Sequence, residues 1–185
     1  MGLWIQYRGK PERRDLFVRN PTVKKITFAA LLVAMDIVLA RFLAIPLGYE
    51  RLSLQFLPDG MAGILLGPVF GGLVTLGADI LGMLIQSGGL VINPLISVAA
   101  LLRGVIPGLL LYKKELTYKR ILFAVCVSLL ICDIGITSTS LHIFFYPSVP
   151  LWQIMGVRAA VRVVYAPLQA WILKMISDRV KPMFR

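Results

Sequence analysis

The sequence predicts an all-α membrane protein: a bundle of six transmembrane helices whose N-terminus and C-terminus are both cytoplasmic. Three observations carry that prediction. The 185-residue chain is 58% hydrophobic and 16% charged, with a mean hydropathy of +0.81, which is more apolar surface than a soluble domain of this length can cover. Its apolar runs approach the ~20 residues a helix needs to cross a bilayer, strand-like alternation is absent, and backbone polar groups in lipid must be satisfied within the segment. The formal charge of +11 is clustered rather than spread. Arg8, Lys10, Arg13, Arg14, Arg19, Lys24 and Lys25 precede the first apolar run; Lys113, Lys114, Lys119 and Arg120 separate two later ones; Lys174, Arg179, Lys181 and Arg185 close the chain. These are the places where a six-helix chain returns to one side, the positive-inside pattern. The charge therefore reads as topology and attraction to anionic membrane lipids, with no nucleic-acid partner.

Residues 1–20 read as a basic, amphipathic leader on the cytoplasmic surface, and 21–185 as one six-helix membrane domain. The first helix is expected over 22–45, ending at Ile45-Pro46-Leu47-Gly48, with a short external loop carrying Tyr49, Glu50 and Arg51. The first apolar run has no small-residue cleavage site after it, so it reads as a retained helix. A short second helix, 53–66, carries Pro58, Asp59 and Gly60 and is expected to be kinked or partly re-entrant. Gly67-Pro68 makes a tight turn into a third helix at 69–87, and Ser87-Gly88-Gly89 the next external loop. The remaining helices are expected at 91–112, 119–144 and 151–177, the last two joined through Tyr146-Pro147-Ser148-Val149-Pro150. Ala30/Ala34, Gly67/Gly71 and Gly104/Gly108 are small pairs one turn apart, the spacing that lets helix backbones approach closely. Cys126 and Cys132, six apart in one helix, face different ways and suit packing rather than a disulfide or metal pair.

Ionisable residues at depth are the most informative feature. Asp36, Asp79, Arg103, Asp133, Arg158 and Arg162 all fall inside predicted spans. Each would be costly against lipid, so they should face the interior, pair, or line a wet cavity. Counting inward at ~1.5 Å per residue puts Arg162 ~16 Å below the outer start of the last helix. Asp133 lies about as deep below the outer end of the fifth, so the two can meet. Arg158, Arg162, Tyr165 and Gln169 share one helical face; Asp133, Thr137 and Ser140 share another; Thr75, Asp79 and Gln86 are in register on the third helix; Asn93 and Ser97 open the fourth. Polar material thus converges on the outer half of helices three to six, which describes a cavity open outside and closed within. Two arginines one turn apart suit an anionic or carboxylate-bearing ligand. Trp152, just above them, is placed to stack on a planar ring. His142 reads as a polar residue near the outer interface, and Trp4, Trp152, Tyr146 and Tyr165 as aromatic anchors.

Catalytic signatures are missing. The sequence holds no GxxxxGK[ST] loop, no HExxH, no GxSxG and no Cys/His cluster with metal spacing, and its single histidine excludes a His-rich metal site. No catalytic residues, no metal and no cofactor are expected. A self-sufficient secondary transporter and, more remotely, an intramembrane enzyme using its buried acids are the competing classes.

The run Leu65-Leu66-Gly67-Pro68-Val69-Phe70-Gly71-Gly72-Leu73-Val74, followed by Ala78-Asp79-Ile80-Leu81-Gly82, resembles the second and third helices of the substrate-binding S-components of energy-coupling factor (ECF) vitamin transporters. Ala30 with Leu31-Leu32-Val33-Ala34-Met35 and Ala40-Arg41-Phe42-Leu43 supports the likeness, and Arg162-Val163-Val164-Tyr165-Ala166-Pro167-Leu168-Gln169 is similar to the closing helix of the folate-type subgroup. The resemblance covers roughly 25–178. It implies a six-helix membrane subunit of the bacterial cell membrane that captures a vitamin outside, docks on a transmembrane coupling subunit with two ATPases, and topples to release its cargo. It also implies that Ala30 and Ala34 form the docking surface for the coupling subunit. Loops after the first, third and fifth helices would gate the cavity. Asp79, Asn93, Asp133, Thr137, Trp152, Arg158 and Arg162 are the expected ligand contacts. The 86–94 segment lacks the aromatic Pro-Gly-Phe of folate carriers, which leaves folate, hydroxymethylpyrimidine and pantothenate as ligands.

Overall fold

A computed structural model describes residues 21–47, 50–85 and 93–180. The chain forms α1 (Pro21–Arg41), a hairpin of β1 (Ile45–Leu47) and β2 (Glu50–Leu52), α2 (Phe56–Leu66), α3 (Pro68–Ile85), α4 (Pro94–Leu111), α5 (Tyr118–Phe144) and α6 (Leu151–Val180). Residues 1–20, 48–49, 86–92 and 181–185, which include the segments expected as the basic leader and the loop after the third helix, lie outside the described residues.

Prolines set several helix starts. Pro21, Pro68 and Pro94 each occupy the first helical position, where the missing N–H has no intrahelical partner to lose and the fixed φ already suits a helix. At Pro94 the side chain of Asn93 completes the start, its Oδ1 accepting from Leu95 N–H at 3.0 Å. Proline also sets one stop. Helix α1 ends at Arg41, four residues short of the expected 45, because Pro46 biases Ile45 away from helical φ/ψ. Instead of a plain loop the chain makes a hairpin, pairing Ile45 with Leu52, Pro46 with Arg51 and Leu47 with Glu50.

The six helices are not equivalent. Four of them, α3 to α6, are long and apolar enough to cross a membrane. Helix α1 has 21 residues, but Lys24, Lys25, Asp36 and Arg41 dilute its apolar run. Helix α2 has 11 residues, about 16 Å at ~1.5 Å per residue, roughly half of a ~30 Å hydrocarbon core. It is buried from Pro58 to Leu66 and is surrounded by α1, α3, α4 and α6. Pro58 sits in the first turn, where no backbone bond is broken, and the helix continues to Leu66. Helix α2 is the centre of the bundle. Around it pack Leu32, Val74, Leu111, Ile121, Leu129 and Leu173, while Leu84, Val163, Val164 and Leu130 face outward as a lipid-compatible skin.

Helices α2, α3 and α4 meet through glycine. A Cβ on Gly104 would collide with the carbonyl of Gly71, and one on Gly63 would come within 2.8 Å of the Gly104 carbonyl oxygen. The expected small-residue contacts Gly67/Gly71 and Gly104/Gly108 therefore lie on one tight seam. Gly67 also turns the chain between α2 and α3 with φ of 91°, a left-handed conformation that favours glycine.

Helix α5 departs from regular winding over Leu129–Thr137, which is π-helical. Two side chains satisfy carbonyls five residues back: Thr137 Oγ1 donates to Cys132 O at 2.7 Å, and Ser138 Oγ to Asp133 O at 3.1 Å. Such segments are uncommon and concentrate at functional sites. Both cysteines have free thiols.

Candidate functional site

A cavity of about 490 Å³ lies between the hairpin and all six helices, within the range that encloses an organic ligand. Its wall carries five arginines (Arg41, Arg51, Arg103, Arg158, Arg162) and four aspartates (Asp36, Asp59, Asp79, Asp133). So much charge inside an apolar bundle is expensive unless paired and used.

The charges fall into three groups. In the first, Asp133 stands on the π-helical stretch between the two arginines of α6, 3.1 Å from Arg162 Nη2 and 3.7 Å from Arg158 Nη2. The pairing of Asp133 with Arg162 expected from depth counting is therefore present. One carboxylate thus faces two guanidiniums. Thr137, one turn further along α5, also lines the cavity.

In the second group, Asp79 on α3 accepts from Ser97 Oγ of α4 at 2.9 Å and is an electrostatic neighbour of Arg41. Arg41 lies across Gly82, where a Cβ would meet its Nε at 3.0 Å. Arg51, from the hairpin, stands near Arg41. Tyr165 ties this end to α6: its hydroxyl donates to Ser53 O at 3.1 Å, and its ring meets Phe56 edge-on at 5.8 Å.

The third group was not assigned to the site from sequence. Asp36 of α1 and Asp59 of α2 lie next to one another with Arg103 of α4 as their common electrostatic neighbour. Both carboxylates are buried. The two carboxyls are hydrogen-bond neighbours of one another; beyond that contact, neither oxygen of Asp36, nor Oδ1 of Asp59, has a hydrogen-bond partner among the described residues. Asp36 and Arg103 stood out as charges at depth, but a count along single helices does not show which ones meet laterally. Asp59 was read only as part of a kink.

Five of the seven expected contact residues line this cavity: Asp79, Asp133, Thr137, Arg158 and Arg162. Two are elsewhere. Asn93 is buried but serves as the cap of α4. Trp152 is 75% exposed and absent from the wall, because six residues of helix put it about 120° round the axis from Arg158. His142 holds Val149 O through Nδ1 at 2.9 Å, an anchor for the loop after α5. Ala30 and Ala34 are exposed on α1, away from the cavity.

Comparison with known proteins places this architecture. Residues 24–177 match the family described as ECF transporter, substrate-specific component. The chain is 31% identical over 121 residues to the folate transporter FolT of Clostridium novyi (strain NT), covering 65% of this chain and 70% of that protein. It also superposes on a crystal structure of FolT bound with folic acid at a TM-score of 0.76 and 28% identity, over 84% of this chain and 93% of the other. The family is one of transporter components, not of enzymes, and its members are multi-pass proteins of the bacterial cell membrane. The chain belongs to the substrate-specific component family of ECF transporters.

Proposed function

We propose that this chain is the folate-capturing subunit of an ECF importer. The observation that carries the reading is the buried cavity in which Asp133 faces both Arg158 and Arg162. With five arginines opposite four aspartates, the wall suits a ligand bearing carboxylates better than a neutral one. Similarity to FolT, one example of which is a complex with folic acid, favours folate over hydroxymethylpyrimidine and pantothenate. The exposed small residues Ala30 and Ala34 on α1 support docking on a transmembrane coupling subunit that carries two ATPases, with toppling as the delivery step. The clustered Lys and Arg residues support a topology with both termini cytoplasmic and the cavity filling from outside.

The test is direct. The purified chain, titrated with folic acid, hydroxymethylpyrimidine and pantothenate, should bind folic acid at least a hundredfold more tightly than either competitor. Mass spectrometry of small molecules co-purifying with it should find a folate. Preference for either other vitamin would overturn the assignment of ligand, and uptake by the chain reconstituted alone, without ATPases, would overturn the assignment of class.

A further inference from the structure

The cavity has an end that the carboxylate-binding arginines do not explain. Asp36 and Asp59 are 1% and 4% exposed, side by side on α1 and α2, and both line the cavity. Apart from their contact with one another, three of their four oxygens are buried without a hydrogen-bond partner among the described residues. Arg103 supplies one positive charge to the pair, and its own Nε is likewise without a partner. Buried acceptors left unsatisfied cost roughly 1–3 kcal/mol each, more when charged; a proton shared between the two carboxyls satisfies part of the group and leaves acceptors that a donor in the cavity completes.

We infer that Asp36 and Asp59 form the subsite that reads a paired-donor edge of the ligand: an amino group beside a ring N–H on a planar heterocycle. Two adjacent N–H groups on one edge match a carboxylate in the fork geometry that makes such contacts directional. The two ends of the cavity then have opposite tasks. The Arg158/Arg162 end takes carboxylates, and the Asp36/Asp59 end takes donors, so a ligand with one of each can enter in a single orientation. Pantothenate carries no such heterocycle. Neutral hydroxymethylpyrimidine presents its amino group beside a ring nitrogen that accepts. The 2-amino and N3–H groups of a pterin meet the requirement. This inference rests on the folate reading for its choice of probe, not for its geometry. Site reading by buried polar groups is also the strong kind of discrimination, because the partner lacking the donor leaves those groups unpaired.

The experiment compares three probes on the wild-type chain in detergent: folic acid, 2-desamino folic acid, and pterin without the benzoylglutamate tail. It repeats the first two with Asp36→Asn and Asp59→Asn, which keep shape while removing charge and one acceptor. Wild type should bind folic acid at least tenfold more tightly than the 2-desamino analogue, and that ratio should fall below threefold in at least one variant. A wild-type ratio below tenfold, as water satisfying the carboxylates would produce, overturns the inference. So does a tenfold ratio that survives both substitutions. Should neither variant purify as a monodisperse species, the wild-type ratio alone decides. Pterin binding without folic acid binding would overturn the folate reading and leave the donor-edge subsite standing, whereas no binding of either overturns both.

Discussion

At the scale of single residues, Asp133 and its two arginines have separable roles. Asp133 neutralises buried positive charge, while Arg158, at the longer distance of 3.7 Å, adds to the attraction for an anion. The signs of two substitutions should therefore differ. Arg158→Ala should weaken folic acid binding more than tenfold. Asp133→Asn removes the countercharge of two buried guanidiniums, a loss on the order of 3–5 kcal/mol in stability, yet it raises the charge facing the ligand and should leave affinity within threefold or tighten it. Titration calorimetry and thermal unfolding of the same preparations separate the two effects. If both variants weaken binding alike, the division of labour is wrong. The ion pair itself was legible from depth counting because both residues lie in long apolar runs whose ends are marked by proline or a basic cluster, and depth along the axis is little changed by the π-helical winding around Asp133. The Asp36–Asp59 pair was not, since lateral adjacency depends on how α1 lies against α2, which no periodicity encodes. Trp152 failed for a rotational reason: closeness along the axis was taken as closeness round it.

At the scale of elements, the number and order of the helices follow from the sequence, since each apolar run is bounded by proline, glycine or charge. What escapes are the departures from regular structure. The hairpin at Ile45–Leu52 is too short to alternate visibly, and the π-helical stretch of α5 is invisible to any pattern built on 3.6 residues per turn. The central position of α2 escapes too, because a helix buried by protein and one buried by lipid are equally apolar. The glycine seam was readable as spacing, and its energetics can be tested. Gly104→Ala drives a methyl into the Gly71 carbonyl and should destabilise by ~1–3 kcal/mol through overpacking. Gly77→Ala, on the same helix as Gly71 but with nothing within 4 Å of the added carbon, should be neutral or stabilising by up to ~1 kcal/mol through reduced backbone entropy. Melting temperatures in one detergent decide the matter, and equal losses at both positions would mean that the close approach is not what holds α3 to α4.

At the scale of the whole molecule, the bundle presents different faces to its surroundings. Most of its outer surface carries large side chains such as Val163, Val164, Leu84 and Leu130, which suit fluid lipid. On α1 the exposed residues include Ala30 and Ala34, flanked by Ile26, Leu31, Met35 and Val38. In lipid there is no hydrophobic gain from bringing helices together, so association depends on backbones approaching closely over small residues. A strip of alanine separated from the cavity is suited to a partner rather than to the ligand. Docking and capture should accordingly be separable by mutation. Ala30→Trp or Ala34→Trp, reconstituted with a coupling subunit and two ATPases, should lose ATP-driven uptake by more than tenfold, because the indole holds the partner helix away. Folic acid affinity in detergent should stay within twofold of wild type, since neither alanine lines the cavity. Val164→Trp, placed on the exposed side of α6, controls for bulk added to the lipid face and should retain uptake. Equal loss of binding and uptake in the α1 variants would show that the strip supports the fold, and loss of uptake in all three would show that any added bulk impedes transport.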